Sequence, residues 1–180
     1  MRIPNIPLLS LALLLTAGAI TMLSAQTDTL SNPTPCGMVL PLTDNNCPEN
    51  GVFFDPDLFL IEVTDAPAGV LGVDVFLREV RLIIRHEWDS DLDLVLRSPG
   101  GVSVNLSLDN GGSDENYGNP DDPACSEYAA FAVGSCTPVS EGVAPFTDVP
   151  YAPEESFYNF NDGTTTANGL WTLQICDDVD

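Results

Sequence analysis

The stretch Val80 to Gly101, VRLIIRHEWDSDLDLVLRSPGG, decides the fold. Val80, Leu82, Ile84, His86 and Trp88 fall on one side of an extended chain. Arg81, Ile83, Arg85 and Glu87 fall on the other. This period of two predicts a strand with one buried face. After a turn at Asp89-Ser90, Leu92, Leu94 and Leu96 point inward, while Asp91, Asp93, Val95 and Arg97 point away. Ser98-Pro99-Gly100-Gly101 closes that second strand, with φ fixed at Pro99 and permissive glycines behind it. Val102, Val104, Leu106 and Leu108 then alternate with Ser103, Asn105 and Ser107. Turns this short predict three antiparallel strands in succession.

The same alternation recurs on both sides. Phe59, Ile61 and Val63 mark an earlier strand that ends at the turn Pro67-Ala68-Gly69. Trp171, Leu173 and Ile175 mark a late strand, with Trp171 in the core. Between them, Asp109 to Pro123 has no apolar period and reads as a long loop. With 15 prolines and 14 glycines in 180 residues, short strands separated by turn signals predict an all-β sandwich.

Charge narrows the function classes. There are 27 acidic residues against five basic ones, and the sequence contains no lysine. Phosphate binding needs clustered Lys and Arg, so nucleic acid is excluded as a partner, and an anionic membrane surface is disfavoured on the same ground. The N-terminus reads as a cleaved signal peptide over 1–25. Arg2 supplies the charge, the apolar run starts at Leu8 to Leu15, and Leu23-Ser24-Ala25 supplies the small-residue cleavage site. Its removal takes away Arg2 and no acid. Four arginines then face 27 acids, a net charge of −23. The mature chain is expected to be secreted or at the cell surface, with no membrane insertion. Residues 26–57 are rich in Pro, Asn and Asp and read as a spacer.

Five cysteines in an exported chain point to disulfides. Cys36 and Cys47 are separated by ten residues, as are Cys125 and Cys136, so two local bridges are the simplest pairing and Cys176 is left over. Spacing also argues against zinc, because no Cys-x-x-Cys occurs and His86 is far from the cysteines.

The acids around the central turn carry the one ligand hypothesis. Asp89, Asp91 and Asp93 alternate there, and Asp109, Asp114, Asp121 and Asp122 crowd the loop that follows. Hard oxygen ligands at loop ends suit calcium. The glycine and terminal glutamate of an EF-hand are missing, and a solvated acidic surface is the competing reading. His86, on the apolar side, reads as a hydrogen-bonded strand-end histidine. No Gly-x-Ser-x-Gly and no His-Glu-x-x-His occurs, so no nucleophile and base pair is recognisable and a non-catalytic chain is expected.

Taken in order, these motifs resemble the P domain, also called the Homo B domain. It follows the subtilisin-like catalytic domain in kexin- and furin-type proprotein convertases and in many secreted bacterial proteases. The matching residues are His86, Asp91-Leu92, Ser98-Pro99 with Gly101, Tyr151 and Pro153, Phe160 to Gly163, then Gly169, Trp171, Leu173 and Asp177. Ser90 stands where the family has glycine, and Val102 stands where it has threonine. The resemblance covers about Phe59 to Asp180. It implies a galactose-binding-like jelly-roll of about eight antiparallel strands over 58–180. The family continues with a further turn and a last strand, which is expected to be missing here, so the sequence reads as part of a longer protein. The implied role is a non-catalytic accessory or binding module of a larger secreted or surface protein, with a surface or glycan ligand. The alternative is a module serving the serine-type endopeptidase activity of a subtilisin-like protease partner.

Overall fold

The computed structural model describes residues 40–43, 46–47, 56–64, 66 and 69–178. The expected signal peptide lies outside them, as do most of the expected spacer and Cys36. The described chain is all-β. It forms β1 (Asp57–Val63), β2 (Glu79–Leu82), β3 (Leu92–Arg97), β4 (Ser103–Leu108), β5 (Ala129–Ala132) and β6 (Gly169–Asp177), with three short 3-10 turns. One antiparallel sheet has the order β1-β6-β3-β4, and β2 pairs with β5 in a second. Six strands are therefore present among the described residues, with isolated bridges beside them. No helix among these residues is long and apolar enough to cross a membrane.

The alternating strands bury the faces their sequences predict. Leu92, Leu94 and Leu96 of β3, Val104 and Leu106 of β4, and Trp171 and Ile175 of β6 enter one core, which Leu82 of β2 and Phe131 of β5 also join. Side chains of both sheets thus share a single apolar interior, the main stabilising term for a fold of this kind. Trp171 packs edge-on against Phe160 at 5.1 Å between centroids, and its indole N–H donates to the Ala167 carbonyl at 2.9 Å. A buried indole needs that acceptor.

Three expectations fail. The strand expected to run from Val80 to Trp88 ends at Leu82. Ile84 still bridges Tyr117, but the main chain of His86 is then occupied by Asn116. Asn116 takes the His86 N–H on its side-chain oxygen and donates its own N–H to the His86 carbonyl, both at 3.2 Å. The alternation breaks there, and Trp88 is 53% exposed.

Secondly, β2 and β3 are not paired. The turn between them, Asp89–Asp91, is a 3-10 turn in which Asp89 is buried. The Asp89 N–H donates to Asp114 O (3.0 Å) and the Ser90 N–H to Gly112 O (3.2 Å). Held by the 112–114 segment, the turn carries the chain from one sheet to the other instead of folding it back as a hairpin. Val95, on the outward face of β3, is buried as well, with Gln174 of β6 and Asn105 of β4 beside it.

Thirdly, the local disulfides are not formed. Cys47 bonds to Cys176, the cysteine expected to be unpaired, with 5.6 Å between Cα atoms at a sequence separation of 129. Cys125 is also disulfide-bonded, whereas Cys136 is free and exposed. The reason for the long-range pairing is visible in the main chain. Cys47 N–H donates to Asp177 O (3.3 Å), and Asp177 N–H donates to the Asn46 side chain (3.0 Å). Part of the expected spacer is thereby stitched to the end of β6, and sequence proximity gives way to strand-end proximity.

The β4 edge of the larger sheet is covered. On β4, the Glu154 and Glu155 carboxylates accept the N–H groups of Leu108 (3.0 Å) and Asn105 (2.9 Å). Their own N–H groups donate to the carbonyls of Leu106 and Asn105. This edge is blunted by charge and by occupied hydrogen bonds.

Candidate functional site

The acidic corner begins at the turn that joins the sheets. Asp89 is fully buried, and neither carboxylate oxygen has a hydrogen-bond donor. The Asn116 N–H, which acts on this carboxylate, donates to the His86 carbonyl. Desolvation pushes the Asp89 carboxyl up to about 7, and Asp114 and Glu115 push in the same direction. The Asn116 N–H and His86 act in the opposite sense, but they restore less than the lost water supplied, so the charged form is disfavoured.

The loop following β4 wraps this carboxylate. Asp109, Gly111, Gly112 and Asn116 all have positive φ. At Gly111, with φ +101, a Cβ would lie 2.6 Å from Asp89 Cβ and 3.3 Å from both Asp89 Oδ2 and Phe146 Cε2. Only glycine permits this conformation and this approach together. Tyr117, expected to lie in a featureless loop, is fully buried and stacks on Phe146 at 4.6 Å. Its hydroxyl meets Ser107 Oγ at 2.8 Å, and Asn110 donates to the same Ser107 at 3.0 Å.

A second group of acids lies at the ends of β3, β4 and β6. Asp93 opposes Leu108 on one side and Cys176 on the other. Its carboxyl is pushed up to about 6, first by burial and then by Asp109, Asp178 and Glu154. One oxygen of Asp93 and one of Asp178 are buried without a donor. Asp91 acts on Asp109 and Asp178, so it belongs with this group.

The five acids expected to bind calcium therefore separate. Asp89 and Asp114 belong to the turn and its wrapping loop; Asp91, Asp93 and Asp109 belong to the strand ends. Among the described residues, no three His, Cys, Asp or Glu side chains are grouped to hold a metal ion. Asp121 and Asp122 join neither group. Asp121 pairs with Arg85. Asp122 accepts from Ser126 Oγ (2.7 Å) and from the N–H groups of Ala124, Ser126 and Glu127, which hold its carboxyl down to about 2.

His86 is committed on both sides of its ring. Nδ1 lies 2.8 Å from the Trp88 carbonyl, and Nε2 lies 3.0 Å from Asp177 Oδ2. The Trp88 N–H also approaches Nδ1, at 3.3 Å. This geometry clamps the end of β2's extension to the end of β6. Gly169, at φ +128, lies against Pro99, and a Cβ there would come within 2.7 Å of Pro99 Cβ. Ser98 accepts the Val102 N–H on its hydroxyl (3.1 Å), and Gly101 takes φ +85 in the turn. Leu92 pairs with Asp177 across β3 and β6.

Comparison of the chain with protein-family models, curated proteins and solved structures finds no match.

Proposed function

We propose that this chain is an exported, non-catalytic P/Homo B-type module with a jelly-roll β-sandwich fold, serving as a binding or accessory part of a larger secreted or surface protein. The observation that carries the reading is the contact between residues that the resemblance marks as motifs. His86 and Asp177, 91 residues apart, share a hydrogen bond. Pro99 and Gly169 touch, and Leu92 and Asp177 are cross-strand partners. Motifs scattered through a sequence by chance have no reason to meet in pairs. The β2-to-β3 passage between sheets over one core is consistent with the jelly-roll assignment.

The histidine supports the non-catalytic part. A general base needs a free lone pair directed at a substrate proton, and both His86 nitrogens face protein oxygens instead. The test is a pair of measurements on the mature chain. Incubated alone with casein and a peptide library, it releases no new termini. Probed against surface polysaccharides and against subtilisin-like proteases, it binds one class saturably. Turnover by the pure chain overturns the proposal. Saturable binding to a protease, with a longer thermal half-life of that protease, selects the protease-associated form of the reading.

A further inference from the structure

We propose that the outer edge of β1 is a docking site for an extended segment of another protein, apolar in its middle and basic at both ends, which joins the larger sheet as a fifth strand. β1 stands at the end of the order β1-β6-β3-β4, and among the described residues no strand or bridge pairs with its other side. An edge strand is a template for a further strand unless charge, proline or a covering segment blunts it. The β4 edge has such cover in Glu154 and Glu155. Among the described residues β1 has no counterpart of it along Leu58-Phe59-Leu60-Ile61. Leu40 and Pro41 face Asp57–Leu60 across an open cleft. The neighbouring Thr43 is tied to the Asp57 carboxylate, not to the main chain of the strand.

The surface of this edge selects its occupant. Leu58 and Leu60 point to the outer face of the sheet, and Leu170 of β6 stands diagonal to Leu60 on that face. The three are 55%, 46% and 48% exposed. Scattered apolar residues on a surface need no explanation, but a group of them at an unpaired edge marks a contact site. Acids close the strand at both ends, Asp57 at one and the exposed Glu62 at the other. In sequence Asp55 and Asp65 extend them, and no basic residue occurs between Arg2 and Arg78. Arg97 shares the outer face, but Thr172 of β6 stands between it and Leu60. A second copy of this chain would bring like acids together, and each copy carries a net charge of −22, so self-pairing is opposed. A segment with Lys or Arg at its ends is drawn to Asp57 and Glu62 instead and covers the leucines with its middle. Main-chain hydrogen bonds to β1 then supply affinity, as in strand addition generally. The site uses β1 and its edge alone and so stands apart from the P/Homo B assignment.

The probe is the fluorescent peptide Lys-Lys-Val-Thr-Val-Thr-Val-Lys-Lys, titrated into the mature chain. It binds saturably at one per chain, and amide exchange slows across β1 while that of β4 is unchanged. Replacing its lysines by glutamate, or N-methylating its five central residues, weakens binding at least about tenfold. Leu58→Thr combined with Leu60→Thr keeps strand propensity and weakens binding about tenfold. Equal binding of the N-methylated peptide overturns the inference, because attraction between charges then accounts for all of it. So does the absence of saturable binding at millimolar peptide, or protection that arises away from β1. A mature chain that sediments as a dimer, and as a monomer once Leu58 and Leu60 are replaced, assigns the edge to a second copy and refutes the cationic partner. Should the double variant fail to fold, the exchange pattern and the N-methylated peptide decide on the wild type.

Discussion

Without a bound cation, Asp89 makes folding stability fall as pH rises. Its carboxyl titrates at about 7 in the folded chain against an ordinary 3.8. Between those values the folded state holds a proton that the unfolded state has released, so lowering the pH favours folding. The contribution is lost as pH rises through 7, and above pH 8 the full deficit is present. At 1.36 kcal/mol per pH unit the deficit is about 4 kcal/mol, an upper bound for a group that can relax. Asp93 acts in the same direction over a lower window, up to about 6, and is discounted because it is partly exposed. The perturbation is Asp89→Asn, which resembles the protonated acid in shape and cannot ionise. The assay is urea unfolding of wild type and variant at pH 5, 6, 7 and 8 in EGTA. Comparing the two chains cancels the titration of His86, Asp114, Glu115 and the remaining acids. The variant is expected to exceed the wild type by up to about 1.5 kcal/mol at pH 5, widening to about 2–4 kcal/mol at pH 8. A wild-type profile that is level or rising from pH 5 to 8, or a variant that keeps the wild-type slope, would refute the reasoning.

Other perturbations have equally definite outcomes. Peptide mapping of the oxidised protein yields a Cys47–Cys176 cross-link and alkylation at Cys136; recovery of a Cys125–Cys136 peptide would contradict the pairing. Cys176→Ser opens a loop of 129 residues, for which the chain-entropy relation gives a loss of up to about 5 kcal/mol, read as a drop in urea midpoint. Gly111→Ala forces a Cβ into the Asp89 side chain at positive φ and lowers stability by about 2–3 kcal/mol in the same assay. Trp171→Ala removes the ring packed on Phe160 and costs about 3–5 kcal/mol, a loss that circular dichroism melting detects.

The strands that could be read from sequence are those in which one face alone is buried. β1 keeps its period of two from end to end, and Val104 and Leu106 of β4 and Trp171 and Ile175 of β6 are buried as expected, although Ser107, Cys176 and Asp177 are buried beside them. β5 escaped, because Ala129, Ala130 and Phe131 are all buried and such a run has no period to detect. Tyr117 escaped for another reason. A single aromatic in a run of Asp, Asn and Gly gives no signal, although the positive-φ positions around it are what let the chain fold back and bury it. The cysteines misled because ten-residue spacing favours local closure, whereas pairing follows which strand ends the sheet brings together. In the corner itself, Asp89, Asp91 and Asp93 look equivalent by alternation. The 3-10 turn removes that equivalence by turning Asp89 alone fully inward.

The distribution of hydrogen-bond donors argues that Asp89 is more than part of a charged surface. Asp122 and Asp162 lie at the surface, and each still receives several donors. Asp122 has Ser126 and three main-chain N–H groups, and Asp162 has Thr164 and the Thr165 N–H, so both carboxyls are held down to about 2. The chain thus supplies donors freely to acids that water already solvates. Asp89, the most deeply buried acid among the described residues, has no hydrogen-bond partner of normal geometry on either oxygen. A fold shaped only by stability would show the opposite order, since the buried group has most to gain from a donor. Local choices that conflict with the rest of a fold concentrate at functional positions. The conflict here sits on the turn that joins the two sheets and under the loop that pins it, so the protonation of Asp89 bears on the stability of both sheets.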